Sequence, residues 1–149
     1  MILRPATPAD AAVLADLWYA MLEECALLVE RVEPRWREWV VEDFQAAIAV
    51  GAQAWIVVED AGSIVACGAA FFRGGRAANA LTGVSAMLAG IYTAPTHRGR
   101  GLARTITERL LDICRTRGCR NVRLRASSAG RHLYESLGFS AGDEMILTL

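Results

Sequence analysis

The segment Ile91-Tyr92-Thr93-Ala94-Pro95-Thr96-His97-Arg98-Gly99-Arg100-Gly101-Leu102-Ala103 holds the densest set of residues whose types and spacing can do chemistry. Arg98, Arg100 and Arg104 crowd a turn that contains Gly99 and Gly101. A glycine turn that opens a helix leaves several backbone N–H groups unpaired and pointing one way, with the positive end of the helix dipole behind them. The guest such a turn favours is a phosphate or pyrophosphate, held by main-chain donors and flanked by guanidinium groups. The same residues also fit an ordinary strand-to-helix turn with solvated arginines, and a short glycine pattern alone does not separate the two.

Other chemistries are removed by what the chain lacks. There is no lysine among the 149 residues, so a Walker A phosphate loop, Schiff-base chemistry and a Ser-x-x-Lys nucleophile are all excluded. Gly83-Val84-Ser85-Ala86-Met87 is missing the second glycine of a nucleophile elbow. With His97 and His132 the only histidines, no metal is expected. Cys25, Cys67, Cys114 and Cys119 form no CxxC pair and read as buried small residues, not as a disulfide frame or zinc site. The chain has no run of eighteen apolar residues, and Met1-Ile2-Leu3-Arg4 enters a strand-like segment directly. The expectation is a soluble, cytoplasmic protein with no membrane partner.

Charge is balanced overall but divided along the chain. Residues 1–60 carry eleven acids against four arginines, whereas Arg98 to Arg131 carries ten arginines against Glu108 and Asp112. That division suits a protein that holds a polyanion at one end and receives a cationic substrate from the other, although solvated helix faces also account for such charges.

Positioning the glycine turn falls to an α/β arrangement in one domain, residues 1–149. Met87 to Ile91 suits a buried strand that Pro95 stops, and Leu102, Ile106, Leu110, Ile113 and Cys114 form the stripe of a helix ending at Gly118. Upstream, Ile2 to Pro5 reads as a strand, and Thr7-Pro8-Ala9-Asp10 resembles a capping box before a helix bearing Leu14, Leu17, Trp18, Met21, Leu22 and Cys25. A second helix starts at Glu33-Pro34, carries Trp36, Trp39, Val40, Phe44, Ala47 and Ile48, and stops at Gly51. Ala54–Asp60 and Ile64–Arg73 form a hairpin turned at Ala61-Gly62, and a loop from Gly74 to Gly83 leads into a strand from Ser85 to Thr93. Asn121–Ala126 is a strand with one wet face, Arg131–Leu137 a short helix, and Phe139–Leu149 a final hairpin turned at Ala141-Gly142-Asp143. The order β-α-α-β-β-β-α-β-α-β-β is α/β with a mixed sheet.

Two motifs then resemble the GCN5-related N-acetyltransferases over nearly the whole chain. Arg98-Gly99-Arg100-Gly101-Leu102-Ala103 is similar to that family's Arg/Gln-x-x-Gly-x-Gly/Ala signature. Leu133-Tyr134-Glu135-Ser136-Leu137-Gly138-Phe139 is similar to its Leu-Tyr-x-x-x-Gly-Phe signature, one helix and one strand later. The resemblance implies a mostly antiparallel sheet with a parallel, splayed central strand pair flanked by helices. It implies that the turn from Arg98 through Gly99, Arg100, Gly101, Leu102 and Ala103 to Arg104 holds the pyrophosphate of acetyl-CoA. It further implies that main-chain groups around Ile91, Tyr92 and Thr93 pair with the pantetheine arm as an added strand would.

By the same resemblance, Tyr134 is the general acid that protonates the departing thiolate, a phenol of reference pKa about 10 donating to a sulfur near 8.5. A helix tyrosine packed on Phe139 is the alternative. Ser127 stands where the family often has an asparagine that bonds the pantetheine, and Arg131 can reach a phosphate at the nucleotide end. Many relatives place a glutamate near the end of the strand as base, but Ala86, Met87, Leu88 and Ala89 carry no titratable group. Glu23, Glu24, Glu30 and a water chain remain open as the base. Trp18, Tyr19, Trp36, Trp39 and Phe72 read as core residues; since the resemblance places the two helices on the acceptor side, an apolar pocket or a cation-binding surface is the alternative.

The expected activity is therefore transfer of acetyl from acetyl-CoA to a primary amine of a small molecule or peptide by direct attack, with a main-chain N–H near Ile91 stabilising the oxyanion. The alternative is a noncatalytic acyl-CoA-binding or regulatory module. Nucleic-acid binding by the arginine-rich half lacks a recognition motif, and association into a homodimer stays open.

Overall fold

The strand core is written in the small and branched residues of two adjacent segments. Trp55, Ile56, Val57 and Val58 are all buried, so their strand places bulk on both faces of a sheet. Its neighbour carries Ala66, Cys67, Gly68, Ala69 and Ala70, whose small size lets helices approach closely from either side. The structure is a computed structural model and describes residues 1–74 and 80–148. The expected loop from Gly74 to Gly83 lies partly on residues 75–79, outside the described residues, and its described part is not all loop, since Ala80, Leu81 and Thr82 are helical.

The elements in chain order are β1 (Ile2–Pro5), α1 (Ala11–Glu24), α2 (Trp36–Ala49), β2 (Gln53–Asp60), β3 (Ser63–Arg73), β4 (Val84–Thr93), α3 (Leu102–Thr116), β5 (Cys119–Leu124) and α4 (Arg131–Ser136). Single 3₁₀ turns at Pro8–Asp10 and Pro95–His97 lead toward α1 and α3. The five strands lie side by side in sequence order, antiparallel from β1 to β4 and parallel between β4 and β5. This is the mixed, mostly antiparallel sheet that the motifs imply.

Two packed layers enclose the sheet. Leu14 of α1 and Phe44 of α2 pack with Trp55, Val57 and Tyr92 on one face. On the other face, Leu102, Ile106, Leu110 and Cys114 of α3 pack against Ile56, Val58, Ala70 and Leu88. Burying each large aliphatic side chain in this way is worth about 1.5–3 kcal/mol. Thr107 is also fully buried on α3, and its hydroxyl donates to the Ala103 carbonyl at 2.7 Å. At Gly68 the helix comes so near β3 that a Cβ there would lie 2.7 Å from Ile106 Cγ2.

The start of α1 matches its sequence signal. The Asp10 carboxylate accepts from the Thr7 N–H at 2.7 Å and from two nitrogens of Arg4 at 2.9 and 3.0 Å. The α1 helix closes at Glu24, and the chain leaves through Ala26 at φ +53°, with the Leu27 N–H bonded to the Leu22 carbonyl. Cys25 is thus the cap residue and is exposed, not buried as expected from the helical stripe. Trp39 likewise stays 45% exposed, with the Arg35 guanidinium over its ring, because Phe44 is the α2 residue that reaches the sheet.

The expected final hairpin does not form. Phe139 to Thr148 contains no strand, and Leu149 is outside the described residues. Its turn residues are present, but Met145, Ile146 and Leu147 are consecutive apolar residues without the period-two alternation that would give a strand one buried face, and all three are exposed. Phe139 packs edge-on to Tyr134 with ring centroids 6.0 Å apart.

Candidate active site

The site begins where β4 parts from β5. The parallel pairing runs from Val84 opposite Cys119 to Leu88 opposite Leu124, whereas β4 continues against β3 as far as Thr93. Between the pairs Ala69–Ala89 and Cys67–Tyr92, Gly90 and Ile91 together face the single residue Gly68. This is a β-bulge, and Gly90 makes it with φ +64°, a conformation nearly closed to residues with a Cβ. A bulge bends its strand and reverses which face later side chains occupy. Leu88 therefore packs under α3 while Tyr92, four positions on, packs under α1. The result is a stretch of β4 from Ala89 to Thr93 with no strand among the described residues on its β5 side.

Main-chain groups point into that opening. The Ala94 N–H donates to the Val65 carbonyl of β3 at 2.9 Å, so the alternation of a ladder aims the groups of Thr93 at the opposite edge. The Arg98 Nε–H donates to the Thr93 carbonyl at 3.0 Å. The Thr93 hydroxyl oxygen, in contrast, is buried and has no hydrogen-bond partner among the described residues.

The glycine turn follows directly. Gly99 and Gly101 have φ +74° and +77°, and Gly101 is the N-cap of α3. A Cβ built on either would meet nothing within 4 Å, so glycine is required here by backbone conformation, and the space over the turn is open. The first hydrogen bond of α3 is Thr105 N–H to Gly101 carbonyl at 3.1 Å, which leaves the N–H groups of Leu102, Ala103 and Arg104 without partners inside the helix. The three arginines expected to crowd the turn instead leave it in three directions. Arg98 reaches back over β4 to the Glu24 carboxylate at 2.7 and 2.9 Å. Arg100 donates to the Thr96 carbonyl at 3.4 Å, and Arg104 donates to the Ser136 hydroxyl at 2.6 Å.

That last bond ties the first turn of α3 to α4, the helix that carries Tyr134. The α4 segment starts from Ser127, whose hydroxyl oxygen accepts from the Gly130 N–H at 3.2 Å. Gly130 leaves room for the tyrosine ring, since a Cβ there would lie 2.9 Å from Tyr134 Cε2. Burial raises the Tyr134 phenol above the ordinary value of 10.0. Tyr134, Arg131, Val122, Leu124 and Phe139 line a cleft of about 650 Å³ on the flank of β5. Arg131 lies 3.8 Å from Glu135 on the exposed side of α4.

A cluster that the sequence does not announce closes the other side. The Glu24 carboxylate, at the end of α1, accepts from the Tyr92 hydroxyl at 2.9 Å as well as from Arg98. These donors hold Glu24 below the usual carboxylate range, the Tyr92 bond first and then Arg98. Of the three glutamates considered as a base, Glu24 is the one brought to β4, and its lone pairs are already engaged. No spacing rule links positions 24, 92 and 98.

The sequence profile of the acetyltransferase (GNAT) family matches residues 15–139. The chain belongs to this family. It is 34% identical over 76 residues to a glucosamine 6-phosphate N-acetyltransferase of Trypanosoma brucei brucei, a match that covers 51% of this chain and 47% of the relative, about half of each. Among solved structures, a predicted acetyltransferase of Clostridium acetobutylicum solved with acetyl-CoA superposes with TM-score 0.85 at 24% identity, covering 99% of this chain and 95% of that one. A GCN5-related N-acetyltransferase of Ralstonia eutropha gives TM-score 0.82 at 21% identity, with 99% and 97% covered. At these identities the structural matches establish the fold. No helix among the described residues is long and apolar enough to cross a membrane.

Proposed function

We propose that this GNAT-family chain transfers an acetyl group from acetyl-CoA to a primary amine. The observation that carries the reading is the continuity of two binding surfaces: the strand-free edge of β4 from Ala89 to Thr93 runs straight into the open glycine turn. Such an edge fits an extended chain of amides, and such a turn fits a pyrophosphate.

In this reading the main chain of Ile91, Tyr92 and Thr93 pairs with the pantetheine arm, and the N–H groups from Gly99 to Arg104 hold the phosphates. Ser127, in the turn before α4, and Arg131, on its first turn, flank the same ligand. Bound acetyl-CoA supplies the acyl group already activated as a thioester. The main-chain N–H near Ile91 donates to the carbonyl oxygen as negative charge develops on it. Tyr134 gives its Oη proton to the sulfur as the carbon–sulfur bond breaks and the amine nitrogen bonds the acyl carbon. The amine's own proton leaves to water, and the chain otherwise contributes position and exclusion of solvent.

One observation favours a second reading, a noncatalytic acyl-CoA-binding module: β4 presents no carboxylate, and Glu24 is engaged by Tyr92 and Arg98. The deciding experiment pairs thermal shift with thiol release. Coenzyme A at millimolar concentration should raise the melting temperature, because only the folded turn assembles its donors. A panel of amines, polyamines, amino acids, aminoglycosides and peptides should then include one that releases thiol from acetyl-CoA. A thermal shift without release for any amine would favour the module, and no shift at all would sink both readings.

A further inference from the structure

The glycine turn has little packing of its own. From Thr96 to Gly101 every residue is exposed except His97, whose side chain is 18% exposed. The imidazole stands between two partners. Its Nε2 lies 3.1 Å from Oδ2 of Asp60, the last residue of β2, and its Nδ1 lies 2.9 Å from the Thr96 hydroxyl oxygen. With the hydroxyl donating to Nδ1, Nε2 carries the hydrogen given to the carboxylate, so both ring nitrogens are bonded and the ring has one orientation.

This contact ties the turn to the β2–β3 hairpin at a second point. The first is the main-chain bond from the Ala94 N–H to the Val65 carbonyl of β3 at 2.9 Å. Between the two, the Pro95 ring fixes φ, and the His97 N–H donates to the Ala94 carbonyl at 2.8 Å. Asp60 is itself well held, since it pairs with Ser63 across a turn in which Ala61 and Gly62 take φ +49° and +79°. After His97 the next buried residue is Leu102. The stretch without an enclosed anchor therefore runs only from Arg98 to Gly101, and without the His97 bond it would start at Pro95. Arg98 adds its bonds to Thr93 and Glu24, but its side chain is 48% exposed, where an ion pair contributes little.

We infer that His97 is a positioning residue for the phosphate-binding turn, a role that rests on the acetyl-CoA reading above. Together with Asp60 it sets where the N–H groups from Gly99 to Arg104 point, and it touches no phosphate itself. A turn whose donors are aimed before the ligand arrives avoids the ordering cost that a loose one meets on binding. A displacement of about 1 Å is enough to carry an N–H out of hydrogen-bond range of a phosphate oxygen. The sequence counts His97 only against a metal site, because Asp60 is 37 positions away.

The test is calorimetric binding of coenzyme A to wild type, His97→Ala, His97→Gln, Asp60→Ala and the double alanine variant, with amide hydrogen exchange of each. His97→Ala should weaken coenzyme A about tenfold, the worth of one hydrogen bond to a charged group. It should also speed exchange at the amides of residues 97, 98 and 105, whose bonds close the turn, while those of β2 and β3 keep their protection. His97→Gln, whose amide can still donate to Asp60, should recover most of the affinity. Asp60→Ala should match His97→Ala, and the double variant should bind no more weakly than either, since the two residues act through one bond. Wild-type affinity in His97→Ala, losses that add in the double variant, or a loss accompanied by faster exchange throughout the sheet would overturn the role of His97 and leave the acetyl-CoA reading standing. Failure of the wild type to bind coenzyme A would overturn both.

Discussion

At the scale of single residues, the site depends on backbone conformations and on a few charged pairs. Gly101 stands at φ +77° with open space around it, so a β-branched replacement strains the turn, at a cost of about 1–3 kcal/mol, without any clash to relieve. Gly101→Val should therefore weaken coenzyme A binding more than Arg100→Ala does, because the Arg100 guanidinium bonds back to Thr96 and sits away from the turn's donors. Calorimetric binding constants in the reverse order would refute a main-chain cradle. Asp10 makes a second residue-scale case. Arg4 holds its carboxyl at about 2, against an ordinary 3.8, with the Thr7 N–H helping. A carboxyl depressed on folding stabilises the protein above its unfolded pKa and loses that contribution as pH falls through the folded one. Acid unfolding of the wild type should thus steepen between pH 4 and pH 2, and Asp10→Asn should lower stability at pH 7 by roughly 1–3 kcal/mol while flattening that acid limb. Urea melts of the two proteins across this range would check both statements.

At the scale of elements, the sheet and its helices place the turn, and two positions carry strain or crowding that can be measured. Ala26 ends α1 at φ +53°, where a side chain costs about 1 kcal/mol that glycine avoids. Ala26→Gly should raise thermal stability accordingly. Gly68 meets the opposite demand: a methyl there would press on Ile106 Cγ2 at 2.7 Å and Ile91 Cγ1 at 3.0 Å. Gly68→Ala should cost about 1–3 kcal/mol and push α3 away from β3, a loss that denaturant melts would read directly. These elements also mark what the chain's pattern makes legible. The stripe Leu102, Ile106, Leu110 and Cys114 identifies α3 because period and burial coincide, and the Ala61-Gly62 turn identifies the β2–β3 hairpin because both residues take positive φ. The bulge at Gly90 is not legible, since one extra residue in a strand leaves no periodic trace. Nor is the absence of a final hairpin, whose turn residues are present while its arms lack an apolar face. Cys25 and Trp39 follow the helical period of their neighbours, yet one falls past the end of α1 and the other on the outer side of α2.

At the scale of the whole molecule, the fold brings together three segments that are distant in sequence. The β3–β4 pairing sets the bulge, the α3 crossover sets the glycine turn, and the Arg104–Ser136 bond draws α4 and Tyr134 to the same end of the sheet. The acidic first part of the chain and the arginine-rich later part meet at Glu24 and Arg98, a contact across 74 positions that no motif records. The two signature motifs were readable because each lies within a few residues, whereas this contact exists only in the folded chain. The central claim is that Tyr134 gives a proton to sulfur in the transition state and binds little in the ground state. The measurement is kcat for wild type and Tyr134→Phe from pH 6 to pH 11, with coenzyme A affinity determined for both. Loss of the hydroxyl should lower kcat by about 10² to 10⁴ with affinity nearly unchanged. Because burial raises the Tyr134 phenol, wild-type activity should persist above pH 10 before it falls, and the Phe variant should lack that alkaline limb. An unchanged kcat in the Phe variant would contradict the account and leave Tyr134 as a packing partner of Phe139.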